Sequence, residues 1–242
     1  MRVGWVRWWV AASVVTSGVV MVAAAVERWG AVCPPATALG ASDLSDACFQ
    51  RSDHLYDFLA PTEPWAPVGS AATLGGLSLL VLALAVPLLA TALTGRRPRA
   101  LAVVAVAVAE LALVDIGVAN LRSGLAGEVV DPAAGGLSFA LWVWLLPAGF
   151  GWLVGTSHGW ARLSALLLLL GSPLVAAFTY AIGPFDAQPW WEGTSGSLTA
   201  LGGLALVVAA VHTRGRTRRS GGHRHAAARD VSDAPGSGWL RA

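Results

Sequence analysis

Lysine is absent from this 242-residue chain, and charge of either sign is scarce: charged residues make up 12% of it, against roughly 25% in an ordinary soluble domain. A surface of that composition excludes a soluble globular protein. Recognisable catalytic signatures are missing as well. There is no phosphate-cradling GxxxxGK[ST] loop, no GxGxxG after a strand, no GxSxG and no HExxH. Of the five histidines, His54, His158, His223 and His225 fall outside the apolar segments and His212 borders one, whereas an intramembrane metallohydrolase needs several inside. Nothing here calls for a cofactor, a bound metal or nucleic acid.

What the chain does have is apolar length. Hydrophobic residues make up 55% and the mean hydropathy is +0.63. A membrane-crossing helix needs about 20 mostly apolar residues, and six stretches qualify: 8–26, 69–94, 100–121, 137–155, 163–183 and 196–212. The expected fold is therefore all-α, a polytopic bundle of six transmembrane helices. Arginine accumulates in short cytoplasmic loops. A cytoplasmic N-terminus places thirteen of the sixteen arginines inside and leaves Arg28, Arg51 and Arg122 outside, while ten of the fourteen acids fall in outer loops. Both termini are then cytoplasmic, and the protein is multi-pass in the cytoplasmic membrane. Abundant Ala, Gly, Arg and Pro without Lys is the product of GC-rich codons and points to a high-GC bacterium.

Tryptophan concentrates at membrane boundaries. Trp5, Trp8 and Trp9 mark the inner boundary in this reading, and Trp29, Trp65, Trp142, Trp190 and Trp191 the outer one. The first span has a rival interpretation as a cleaved signal peptide, with Arg2 and Arg7 ahead of an apolar run and small residues at Ala23 to Ala25. The run exceeds the 7 to 15 residues usual for that purpose, so a retained span is preferred.

One extramembrane segment is long enough to fold, residues 27–68. It holds six acids against Arg28 and Arg51, a net charge of −4, and both cysteines of the chain. Cys33 and Cys48 on an oxidising face read as a disulfide, worth ~3 kcal/mol for a loop of about 15 residues. From Asp43 to Leu59 apolar residues recur at helical spacing, and Pro61 ends the pattern. The opposite face would carry Asp46, Gln50, Asp53 and Asp57 as one stripe, with His54 beside it. Such a stripe is either a binding edge, including a carboxylate site for a divalent cation, or simply the wetted side of a helix lying on the membrane; the plainer reading is preferred. Pro-Trp-Glu-Gly chemistry recurs before the second span (Pro61 to Gly69) and the sixth (Pro189 to Gly193), where it reads as boundary anchoring.

Inside the bilayer the informative residues are Glu110 and Asp115, with Asn120 continuing outward. An ionised acid at the centre of a span costs about 2.5–3.5 kcal/mol and by default marks a functional site. Five residues separate the two acids, about 7.5 Å of rise and 140° of rotation, so they do not form one tight pair. They are stops in a proton or cation relay, packing residues, or docking points for a basic group on another subunit. Gly151 with Gly155, Ser13 with Ser17, Ala72 with Gly76, and Ala105 with Ala109 have the spacing of close helix packing, and Pro87, Pro147 and Pro173 are candidate kinks. Residues 213–242, with seven arginines, read as a disordered basic cytoplasmic tail attracted to anionic lipid headgroups.

Three functions fit these features. The leading one is a non-catalytic subunit or assembly partner contacting another membrane protein or a further copy of itself. A small oligomeric transporter or channel would use Glu110 and Asp115. An enzyme of the outer surface would rely on His54, Asp53 and Asp57.

Overall fold

A computed structural model describes residues 3–34, 45–96, 98–175 and 188–232. Among the described residues all regular structure is helical. The elements are α1 (Val3–Trp29), α2 (Asp46–Arg51), α3 (Ala71–Ala83), α4 (Val86–Thr94), α5 (Ala100–Ala126), α6 (Gly136–Thr156), α7 (Gly159–Leu170) and α8 (Trp191–Ser232), with a short 3-10 turn at His54–Tyr56.

Four segments are long and apolar enough to cross a membrane: Gly4–Trp29, Ala100–Ala126, Gly136–Thr156 and Trp191–His212. The expected second span is two helices, α3 and α4, bent by 51° at Leu84–Ala85, and counts as a fifth crossing if taken as one. Pro87, in the first turn of α4, has no amide hydrogen to give back to α3 and limits how the helix can continue. Pro147, by contrast, lies inside an unbroken α6. Of the expected fifth span the described part is α7, twelve apolar residues that end at Leu170, too short alone to cross a membrane; part of the remaining stretch, within residues 176–187, lies outside the described residues. At the C-terminal side the helix does not stop with the apolar run. The backbone of α8 stays helical through Ser232, into the region read from its composition as disordered, and no proline intervenes before Pro235.

The helices meet through small residues. A Cβ on Gly76 would lie 2.5 Å from the Leu121 amide nitrogen, and one on Gly124 2.5 Å from the Thr73 nitrogen, so α3 and α5 run backbone to backbone. Gly18, Gly196 and Gly203 bring α1 equally close to α8. Gly151 and Gly155 instead face open space. The bundle core is aliphatic, with Val10, Val14, Leu113, Ile116 and Leu206 fully enclosed. Within it the Ser17 and Ser78 hydroxyls, 3.1 Å apart, link α1 to α3, and Ser78 also donates to Ser17 O at 2.9 Å.

Candidate functional site

The two ends of the bundle differ. One end, the capped end, carries the folded segment between α1 and α3. Here α1 runs on past the apolar stretch to Trp29, and Cys33, just beyond it, is joined to Cys48 of α2 by a disulfide with a Cα–Cα distance of 4.9 Å. Both cysteines are fully buried with Trp29. The single acidic helix expected from Asp43 to Leu59 is not formed. Residues 35–44, Asp43 with them, lie outside the described residues. The chain beyond them forms α2, breaks at Ser52–Asp53 and enters the 3-10 turn. The break has a local cause: Asp53 accepts from the Leu55 amide at 3.1 Å and so starts a new turn, as short polar side chains do when they compete with a continuing helix.

That break scatters the predicted stripe. Asp46 is exposed in the first turn of α2. Asp53 is a cap, with the exposed His54 3.2 Å from its carboxylate. Asp57 turns the other way, onto the bundle. Among the described residues no group of three His, Cys, Asp or Glu side chains is placed to hold a metal ion, so the carboxylates of this face do not converge on a divalent-cation site.

Asp57 meets a charge cluster not singled out from the sequence. Arg28, 1% exposed, points from the last turn of α1 between Asp57, 2.6 Å from Nη2, and Glu192, 2.5 Å from Nη1. Glu192 is equally buried and stands in the first turn of α8; its second oxygen accepts from Trp29 Nε1 at 2.7 Å. The guanidinium lies 4.3 Å above the Trp29 ring, a geometry that favours a cation over an aromatic face. Trp190 adopts φ +64°, a left-handed conformation costly for any residue with a Cβ, and its Nε1 donates to Cys33 O at 2.8 Å. Trp65 donates to Asp57 O at 2.7 Å. The tryptophans at this end are thus not only boundary residues: Trp190 fastens the cap to the start of α8, Trp29 joins α1 to α8, and Trp65 closes the cap on itself.

One guanidinium faces two carboxylates, so the buried cluster is one positive charge short. Desolvation raises the Asp57 pKa to about 6; Arg28 opposes that rise and the Glu192 charge adds to it. The short contact to Arg28 alone would argue for a lowered value. Burial and the second carboxylate outweigh it, because the cation is shared.

The remaining predicted residues divide. Asn120, buried on α5, donates to Leu59 O at 3.1 Å, holding the end of the cap against the bundle where Phe58 packs on Gly75. Asp115 accepts from the amides of Ala133 (2.8 Å) and Ala134 (3.0 Å) and from Ser138 Oγ at 2.7 Å. It ties α5 to the loop before α6 and to the first turn of α6, on the capped-end side of Glu110. Glu110 differs: it is half-buried on α5 and has no hydrogen-bond or ion-pair partner among the described residues. The close contacts of Gly124 with Thr73 and of Gly117 with Leu80 set an antiparallel register in which Glu110, two turns further on, is level with Pro87 and the bend between α3 and α4.

No protein family, no curated protein and no solved structure matches the chain. Fold and cap define a class all the same: the chain is a membrane-embedded helical protein with a disulfide-closed cap clamped to its first and last helices.

Proposed function

We propose that the chain is a six-span protein of a bacterial cytoplasmic membrane, with both termini cytoplasmic, and that it acts as a non-catalytic subunit or assembly partner. The arginine distribution supports the orientation. A sixth crossing is supported by connectivity: α7 starts at the end opposite the cap, and the chain is back at the capped end by Trp190, bonded to Cys33.

The observation that carries the reading is how the cap spends its polar groups. Arg28, Asp57, Glu192, Trp29 and Asn120 are committed to fastening, and a rigid acidic surface remains outside, with Asp46, Asp53 and a Phe49 that is 61% exposed. A preorganised surface loses little conformational entropy on binding. Glu110 adds a second contact inside the bilayer, suited to a basic side chain on a neighbouring membrane protein.

The test is gentle solubilisation from the native membrane followed by native mass spectrometry. A stoichiometric partner that is lost in Glu110→Gln, with the variant still folded and abundant, is the expected result. A lone chain overturns it. A second reading, transport, is favoured by the broken α3–α4 helix level with Glu110, since interrupted helices beside an intramembrane acid suit ion sites; it predicts ion flux in reconstituted vesicles that Glu110→Gln abolishes.

A further inference from the structure

At the end opposite the cap, five helices line a cleft of about 440 Å³, within the ~300–1,000 Å³ range of small-ligand sites. Arg7 enters from α1, Thr94 from the end of α4, Ser157 and His158 from the α6–α7 junction and His212 from α8. Every ionisable side chain in its wall is Arg or His; no carboxylate lines it among the described residues.

Three features point these groups at one ligand. Arg7 Nε donates to Ala92 O at 2.8 Å, which fixes the guanidinium in place. The His212 ring is stacked on Trp160 at 6.5 Å with an interplanar angle of 8°, which holds the imidazole at the wall. Most telling is Ser157: it is 3% exposed, lines the cleft, and its hydroxyl has no hydrogen-bond partner among the described residues. A buried hydroxyl left unpaired costs about 1–3 kcal/mol, a cost that a ligand accepting its proton would remove. Directly after it, α7 begins at Gly159 with no side-chain cap on its first amides. Uncapped helix N-termini favour anions.

We infer that this cleft binds a phosphate group, with Arg7 supplying charge-assisted hydrogen bonds, Ser157 and the first amides of α7 donating to the remaining oxygens, and His158 and His212 flanking it. The phosphate ester arrives either as the headgroup of an anionic lipid or as a soluble phosphate compound, since the same donors serve both.

The full-length protein is tested in two arms. In nanodiscs of phosphatidylcholine with or without phosphatidylglycerol, retained lipid is read by native mass spectrometry; in detergent, inorganic phosphate binding is read by calorimetry. Selective retention of phosphatidylglycerol identifies the lipid source, and saturable phosphate binding the soluble one. Either signal should weaken about tenfold in Arg7→Gln, the order expected for losing a charge-assisted hydrogen bond. Ser157→Ala and His158→Ala should weaken it too, without lowering the thermal unfolding temperature of the ligand-free protein, which Ser157→Ala should if anything raise by removing the unpaired hydroxyl. These two variants decide the matter if Arg7→Gln unfolds through its lost bond to Ala92. Absence of both signals overturns the proposal. So does binding that Ser157→Ala and His158→Ala leave intact, as lipid held only by the arginines of residues 213–242 would be.

Discussion

A guanidinium buried between two carboxylates has no water to fall back on, so its worth shows when one partner is removed. Arg28→Met would leave Asp57 and Glu192 facing each other without a cation. Breaking a buried pair in this way costs about 3–5 kcal/mol, and the expected result is a large drop in the thermal unfolding temperature in detergent. Adding Glu192→Gln should recover part of it, because the surplus charge goes with it. A loss under about 1 kcal/mol for Arg28→Met would mean the cluster is no fastening. Asp57 carries a pH signature of its own. Its folded pKa of about 6 lies above the ordinary 3.8, so the folded state takes up a proton that the unfolded state does not. The stabilisation is full below pH 3.8 and is lost as pH rises through about 6. Between pH 7 and pH 5 the protein should therefore gain about 1 kcal/mol from this group, and Asp57→Asn should flatten that slope. An unchanged slope in the variant would assign the effect elsewhere.

Among helices, small residues matter only where a second backbone is present. Gly76 faces the Leu121 nitrogen at 2.5 Å and the Gly117 oxygen at 2.7 Å from an added Cβ, and backbone atoms cannot step aside. Gly76→Val should push α3 from α5 and cost about 1–3 kcal/mol. Gly151→Val, with nothing within 4 Å, should stay within about 0.5 kcal/mol. Thermal unfolding of the two variants side by side checks the contrast. The sequence spacing of Gly151 and Gly155 is the stronger packing motif of the two, which shows the limit of motif reading: small-xxx-small spacing states that a close approach is possible, whereas engagement depends on what the neighbouring helix presents. The same limit applies to Trp29 and Trp190. Their apolar rings are legible as boundary residues, but their N–H groups find Glu192 and Cys33 through tertiary contacts that no local pattern encodes.

For the molecule as a whole, the long apolar runs make the helices legible to within a few residues at α5 and α6, and the even cysteine count makes the Cys33–Cys48 bond legible. The acidic stripe misleads, because Asp53 has as much to gain by capping a turn as by continuing a helix. The Arg28 cluster leaves only a faint trace, an arginine and a glutamate each beside tryptophan at the same end of the bundle. Its partners are 164 residues apart in the chain, and a contact over that separation has no periodicity to betray it. That separation also has a consequence in time. Ribosomes add roughly 5–20 residues per second, so Glu192 emerges on the order of ten to thirty seconds after Arg28. During that interval the disulfide loop can close, and Asp57 can meet Arg28, but the cluster lacks its second carboxylate and Trp29 its acceptor. The last helix is thus the latch of the assembly line: a nascent chain stalled before it can close its disulfide yet has no Glu192 with which to lock the cap.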